Sequence, residues 1–261
     1  MNMNSILSIS KTGLTQLQKS LDNTANNIAN VNTVGFKANE MSFRELLNNP
    51  TTNREVEQLN NPQNIDFNAG LQTNVQAINF TQGSLASTGL PTDLAISGDG
   101  FFRVFDAAGN QFLTRDGAFR LDSQNQLVNQ QGYRVDVTYT IPSQNWPNNA
   151  ISINSQGIIS TRNNDQTIEL GRVNLFLPTR DSDLSAVGKN LFQLSPGAIV
   201  ANNIQNPNLF GNIMQGYIEQ SNVNLAQEMT DMIVTQRSFS LNAKAIQATD
   251  DMLNSINHFT D

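Results

Sequence analysis

The sequence contains no cysteine, so it offers no disulfide framework and no thiolate nucleophile or ligand. Histidine is nearly absent too: His258 stands alone, and one imidazole makes neither a triad nor a histidine-rich metal site. No metal, no cofactor and no catalytic residue is expected. Charge is scarce. Charged residues are 14% of the 261, against about 25% in an average globular domain. The net charge of −7 argues against the basic face that nucleic acid requires, so no nucleic-acid partner is expected. No apolar run approaches the ~18 residues of a membrane span, and no membrane insertion is expected. The opening MNMNSILSISKTGLTQL has neither a basic start nor a continuous apolar core, so a cleaved secretory signal is not expected.

Carboxamides take the place of charge: 60 residues are Asn or Gln. A polar but weakly charged surface packs against copies of itself without strong like-charge repulsion. A codon bias toward Asn explains the same composition.

Both ends carry heptad patterns. Leu7, Ser10, Leu14, Leu17, Leu21, Thr24, Ile28 and Val31 alternate at spacings of three and four, an a/d series with Ser10 and Thr24 as lapses. Asn4 or Ser5 is placed to cap this helix. It should fade over 30–33, where Asn and Thr compete for their own backbone, and Gly35 suits the positive φ that ends helices. At the other end Leu225, Met232, Phe239, Ile246 and Leu253 fall seven apart, with Met229 and Ala243 between them. Asn224 with Gln227 reads as a capping box. Some 35 residues without Pro or Gly predict a rod on the order of 50 Å. Each stripe is narrow and wants a helical partner. Burying a Leu-sized side chain contributes roughly 1.5–3 kcal/mol, while ordering costs ~1–2 kcal/mol per residue. The two terms roughly cancel for one helix pair. The expectation is that the ends order firmly only when several copies pack; an intramolecular helical hairpin is the alternative.

The middle has period two. Short apolar runs are separated by the turns at 98–100, 108–110, 116–117 and 123–125. Ile151 and Ile153 face Ile158 and Ile159 across Ser155-Gln156-Gly157, which predicts a hairpin, and Phe101, Phe102, Phe105, Phe112 and Phe119 are its expected core. The fold class is α+β: long N- and C-terminal helices pairing as a coiled coil around a central, mostly antiparallel β domain. The expected boundaries are 1–34 with 217–261 for the helices, 35–79 for an extended linker, 80–205 for the β domain and 206–216 for a return linker. The Asn-rich stretch 48–74, with Pro50 and Pro62, has little periodicity.

Little here is built for catalysis. GDGFFR lacks the third glycine of a dinucleotide loop and no helix pattern follows, so it reads as a hairpin turn. Asp93, Asp99, Asp106, Asp116 and Asp122 are turn-forming acids. A glycosidase-like carboxylate pair among them, acting on cell wall, is the enzyme alternative.

Three stretches together resemble one family. ANNIANVNTVGFK is similar to the signature of the axial proteins of the bacterial flagellum, the rod and hook family. GYIEQSNVNLAQEMTDMIVTQRSFSLNAKAIQATDDMLNSI resembles that family's other block, and FTQGSLASTGLPTDLAISGDGFF resembles its strand region. Hook proteins carry further β domains, for which this chain has no room. The length and the wording SNVNLAQEMTDMIVTQRSF are most like the distal end of the rod, with the proximal rod the nearest alternative. The resemblance implies a non-enzymatic subunit of a helical tube in the basal body, extracytoplasmic and passed there by the flagellar export apparatus. Its partners would be itself and the neighbouring rod and hook proteins. On this reading the subunit contacts fall on Leu14, Leu17, Leu21, Asn27, Ile28, Asn30, Val31, Gly35 and Phe36 in the first block. In the last block they fall on Leu225, Met229, Met232, Phe239, Ile246 and Leu253.

Overall fold

The computed structural model describes residues 3–47, 68–147, 151–163 and 166–260. The chain is α+β and divides into two units, one of residues 1–29, 39–79 and 224–261, the other of 30–38 and 80–223.

The first unit holds both helices. α1 (Met3–Ala29) starts early enough to contain Asn4 and Ser5, which therefore lie inside it rather than capping it. It stops where carboxamides and Gly35 were expected to stop it. α2 (Leu225–Thr260) has 36 residues, about 54 Å at the α-helical rise. At its start the Gln227 N–H donates to Asn224 Oδ1 at 3.3 Å. The Gln227 side chain turns away to Asp231, 3.0 Å distant, so only the cap half of the expected box forms. Among the described residues no helix is long and apolar enough to cross a membrane.

Residues 35–79, expected as a linker, contain an antiparallel pair: β1 (Asn39–Leu47) with β2 (Asn68–Ile78), running from Asn39↔Ile78 to Leu47↔Asn68 with register shifts between Glu40 and Ser42 and between Glu45 and Leu47. NEMSFRELL and NAGLQTNVQAI carry no strict apolar alternation, so the pairing leaves no period-two trace. Both strands contact α1. Pro50, Pro62 and the rest of 48–67 lie outside the described residues.

The second unit is antiparallel β. Its widest sheet runs, strand by strand, Leu184–Gly188, Leu191–Leu194, Gln111–Thr114, Phe101–Phe105, Arg134–Val135, Leu127–Val128 and Arg120–Leu121; Phe101–Phe105 also pairs with Leu175–Pro178, which pairs with Val200–Asn202. A second sheet orders Val137–Tyr139, Gln166–Val173, Ile158–Asn163 and Ile151–Ile153. The Ile151–Ile153 hairpin forms as its sequence predicts. Strand alternation sorts the phenylalanines. Phe102 and Val104 enter the main core with Leu94, Leu127 and Leu175. Phe101 faces the other way and meets Phe80 and Phe192 edge-on, with ring centroids 5.6 and 6.0 Å away. Phe105 and Phe112 are only half-buried.

Two short pairings bring late sequence back to early sequence. Leu94–Ser97 pairs with Asn212–Gln215, and Leu85–Ser87 pairs with Tyr217–Glu219. From the sequence, 206–216 is expected to be a linker and 217–261 the helical domain, with its helix capped at Asn224. The β-favouring run NIMQGYIE makes strands instead, and the helix begins after Asn224, where the capping pattern places it.

Candidate assembly joint

Within the first unit the two helices contact each other and run antiparallel. Asn27 meets Glu228, and farther along a methyl at Gly13 would lie 3.8 Å from Asn242 Nδ2. Asn27 is the hub of this region and is 1% exposed. Its Oδ1 accepts from the Asn39 N–H at 3.0 Å, and its Nδ2 donates to the Asn39 carbonyl at 3.0 Å and to Glu228 Oε1 at 2.8 Å. Asn23 Nδ2 donates to that same carbonyl at 2.7 Å. The Asn27 carboxamide thus replaces a neighbouring peptide group at the start of β1. Burial raises the Glu228 carboxyl above its ordinary value, helped by the like charges of Asp231 and Glu40 and opposed by hydrogen bonds from Asn27 and Thr24.

The expected assembly residues distribute unevenly. On α1, Leu14, Leu17, Leu21 and Ile28 are half-buried, whereas Gly13, Asn23, Thr24 and Asn27 are buried. On α2 Glu228, Met232, Thr235, Phe239, Asn242, Ile246 and Thr249 form a half-buried line at spacings of four and three, flanked by half-buried Ser238 and Ala243. Met232, Phe239 and Ile246 belong to it. Leu225 and Met229 are exposed beside it. The Leu253 and Leu7 side chains lie outside the described residues. Asn30, Val31, Gly35 and Phe36 fall in the second unit.

There, residues 30–38 are bound into the β structure. Gly35 holds a φ of +66°, and a Cβ on it would strike the Asp116 main chain, so only glycine fits. Its N–H donates to the Glu219 carbonyl at 2.8 Å. Two residues on, Lys37 Nζ donates to Glu219 Oε1 at 2.7 Å and to the Thr81 carbonyl at 2.8 Å. The Gly83 N–H reaches the same Oε1 at 2.9 Å. Arg115 Nη1 lies 3.2 Å from Glu219 Oε2, and its Nη2 donates to the Gly98 carbonyl at 2.9 Å. The Arg115 guanidinium also sits 5.1 Å from the Phe101 ring centroid. Lys37, Arg115 and Glu219 are 3%, 4% and 1% exposed. Burial pulls the Lys37 ammonium and the Arg115 guanidinium below their ordinary ranges, and Glu219 works against that in both. Beside this cluster Asn222 Oδ1 accepts from the Ala38 N–H at 2.8 Å while its Nδ2 donates to the Thr81 carbonyl at 3.0 Å.

None of Lys37, Arg115, Glu219 or Asn222 was singled out from the sequence. Lys37 and Glu219 are 182 residues apart, and no local pattern links them. The available signal is an isolated charge amid apolar neighbours, in GFKA and YIEQ, in a chain where charge is scarce. Three of the five turn acids bond their own turns, Asp116 Oδ1 by accepting from the Ala118 N–H at 3.0 Å. Asp106 Oδ1 accepts from the Ala108 and Asn110 N–H groups at 2.9 and 2.8 Å, and Asp122 Oδ1 accepts from Gln124 and Gln126 at 2.8 Å each.

Three family models match the chain: "Flagella basal body rod protein" over residues 7–37, "Flagellar hook protein FlgE/F/G D1 domain" over 95–161, and "Flagellar basal body rod FlgEFG protein C-terminal" over 214–258. Proteins named flagellar basal-body rod protein FlgG are similar along nearly their whole length. The one from Borreliella burgdorferi is 37% identical over 259 residues, 94% of this chain and 95% of its own. That from Buchnera aphidicola subsp. Schizaphis graminum is 38% identical, with 94% and 95% covered. That from Agrobacterium fabrum is 34% identical, again with 94% and 95% covered. The chain belongs to the flagellar basal-body rod protein family. Each of the three segments matched by the rod-family models supplies one member of the buried cluster: Lys37 from the first, Arg115 from the second and Glu219 from the third.

Proposed function

We propose that this chain is a structural subunit of the bacterial flagellar basal-body rod, at its distal end, where copies assemble into a helical tube that passes torque from motor to hook. The observation that carries the reading is the similarity over 94% of the chain to rod proteins of three distant bacteria. The shape of the first unit supports it. The half-buried apolar residues of α1 and α2 are incompletely covered by one chain, and α2 exposes Ile233, Val234, Leu241 and Met252 on its other side. Neighbouring copies dry these surfaces, the two helices pair as a coiled coil, and residues 1–34 with 217–261 act as the assembly region. The helical ends order fully during assembly. A tube that lengthens requires a heterologous contact that never closes on itself, and each modest interface gains strength by repetition. The work is structural rather than catalytic. The subunit reaches the outside of the cytoplasmic membrane through the export apparatus and meets other rod and hook proteins there.

The test is a double substitution, Leu14→Asp with Leu21→Asp. The purified chain keeps its β circular dichroism, while cells carrying it as their sole copy build no complete rods and do not swim. A strain that swims normally excludes the stripe as an assembly surface.

A further inference from the structure

The chain passes between its two units four times: after Ala29, after Ala38, after Asn79 and before Asn224. On the side of the β unit the roots of three of these passages, at Ala38, Thr81 and Asn222, are tied together, and the chain entering by the first passage joins them at Gly35. Asn222 binds Ala38 and Thr81 at once. Glu219 holds the N-terminal root at two points, by its carbonyl to the Gly35 N–H and by its carboxylate to Lys37. Lys37 in turn grips the Thr81 carbonyl. Arg115 fixes the remaining Glu219 oxygen to the sheet.

Stability does not account for three charged groups at this place. Removing two cations and a carboxylate from water costs more than well-packed apolar side chains of equal volume would. Their distinguishing property is directional, charge-assisted bonding, which resists sideways slip where an apolar contact slides. We propose that the Lys37–Glu219–Arg115 cluster with Asn222 is a torsional joint inside the β unit: it holds the chain at Gly35–Ala38, Thr81 and Asn222 in fixed lateral order, so that torque reaching these segments turns the β unit as one body instead of peeling them from it. These four are positioning residues for the role proposed above, and the inference rests on that role.

The experiment replaces the chromosomal copy in a motile strain by Glu219→Gln, which keeps the side-chain shape but removes the charge, and separately by Asn222→Ala at the less buried edge. Three quantities are read for each: the thermal midpoint of the purified full chain, the number of hook–basal bodies per cell by electron microscopy, and the rotation rate of tethered cells as medium viscosity rises. The expected result is a midpoint near that of the parent for Asn222→Ala and a lower one for Glu219→Gln, which leaves two buried cations without their counter-charge, and in both a normal number of basal bodies with rotation that matches the parent at low load and is lost at high load. Rotation equal to the parent at every load, in either variant with normal basal bodies, overturns the joint. A variant whose purified chain melts normally yet builds no basal bodies also overturns it, because the cluster then serves assembly. If Glu219→Gln does not fold, Asn222→Ala decides alone by the same readings, and loss of its fold as well makes the cluster a stability element and overturns the joint. Absence of the parent chain from purified basal bodies defeats instead the role on which the inference rests, and is read separately.

Discussion

A carboxamide carries one acceptor and two donors in the geometry of a peptide group, and this protein repeatedly uses side chains as substitute main chain. Asn27 does so for Asn39. Gln82 accepts from the Gly98 N–H at 3.0 Å and donates to the Ile96 carbonyl at 2.8 Å. Gln215 serves the Ile153 N–H and the Ile151 carbonyl at 3.0 and 3.1 Å, and Asn203 accepts from the Leu175 N–H at 3.1 Å. Each closes a gap where two strands or a helix and a strand do not share a ladder, which backbone groups away from water demand. Asn27 provides the sharpest test. Replacing it by Leu leaves the Asn39 N–H without its partner, at about 1–3 kcal/mol, and takes one hydrogen bond from Glu228, which keeps that of Thr24. Replacing it by Asp keeps an acceptor for Asn39 but sets a second carboxylate against Glu228. Both variants should melt earlier than the parent in urea followed by helical circular dichroism, and the loss for Asp should shrink at acid pH while that for Leu does not. From the sequence, Asn27 and Asn30 stand near the end of a helix and, by the family resemblance, among the subunit contacts. Nothing in it shows that Asn27 and Asn39 meet as side chain and main chain, because that depends on where β1 starts.

At the level of elements, the long uninterrupted patterns were legible and the short ones were not. Both helices announce themselves by spacing, the first by where it stops and the second by its freedom from Pro and Gly. The phase of the second was not legible. Seven-residue spacing of Met232, Phe239 and Ile246 is compatible with either flank, and the structure turns α2 so that polar Glu228, Thr235, Asn242 and Thr249 complete the half-buried face. A seam built this way is sensitive to pH at Glu228. Its carboxyl is raised above the ordinary 4.5 by burial, then by Asp231 and Glu40, so the folded state holds that proton more tightly than the unfolded state does. The resulting stability is fully present below pH 4.5 and is lost as pH rises through the raised value. Glu228→Gln retains an acceptor for Asn27 and removes the titration. Amide hydrogen exchange along α2, compared between pH 5 and pH 8, should show protection falling with pH in the parent and not in Glu228→Gln. An equal fall in both would place the sensitive group elsewhere.

Across the whole molecule the chain order conceals the assignment of residues to units. Residues 30–38 follow directly on α1 in sequence, yet they belong with the β unit because Gly35 and Lys37 are bonded to Glu219 and because Asn190 Nδ2 donates to the Val34 carbonyl at 2.8 Å. Trypsin distinguishes the two arrangements without any substitution. Lys11 and Lys19 on α1, and Arg237 and Lys244 on α2, are exposed, on helices whose opening needs only local unfolding. Lys37 and Arg115 are buried, and cleavage after either requires the β unit to open. Under conditions where reclosing outpaces cleavage, rates follow the population of the open state. The isolated chain should therefore lose its helical ends at Lys19 and Arg237 early in the digest, while peptides that begin at Ala38 or Asp116 accumulate only when the β circular dichroism is also lost. Mass spectrometry of the timed digest reads both. Early cleavage after Lys37, at the pace of Lys19 and with the β signal intact, would mean that 30–38 is merely the frayed end of α1, and Gly35 and Lys37 would then not be anchored on Glu219.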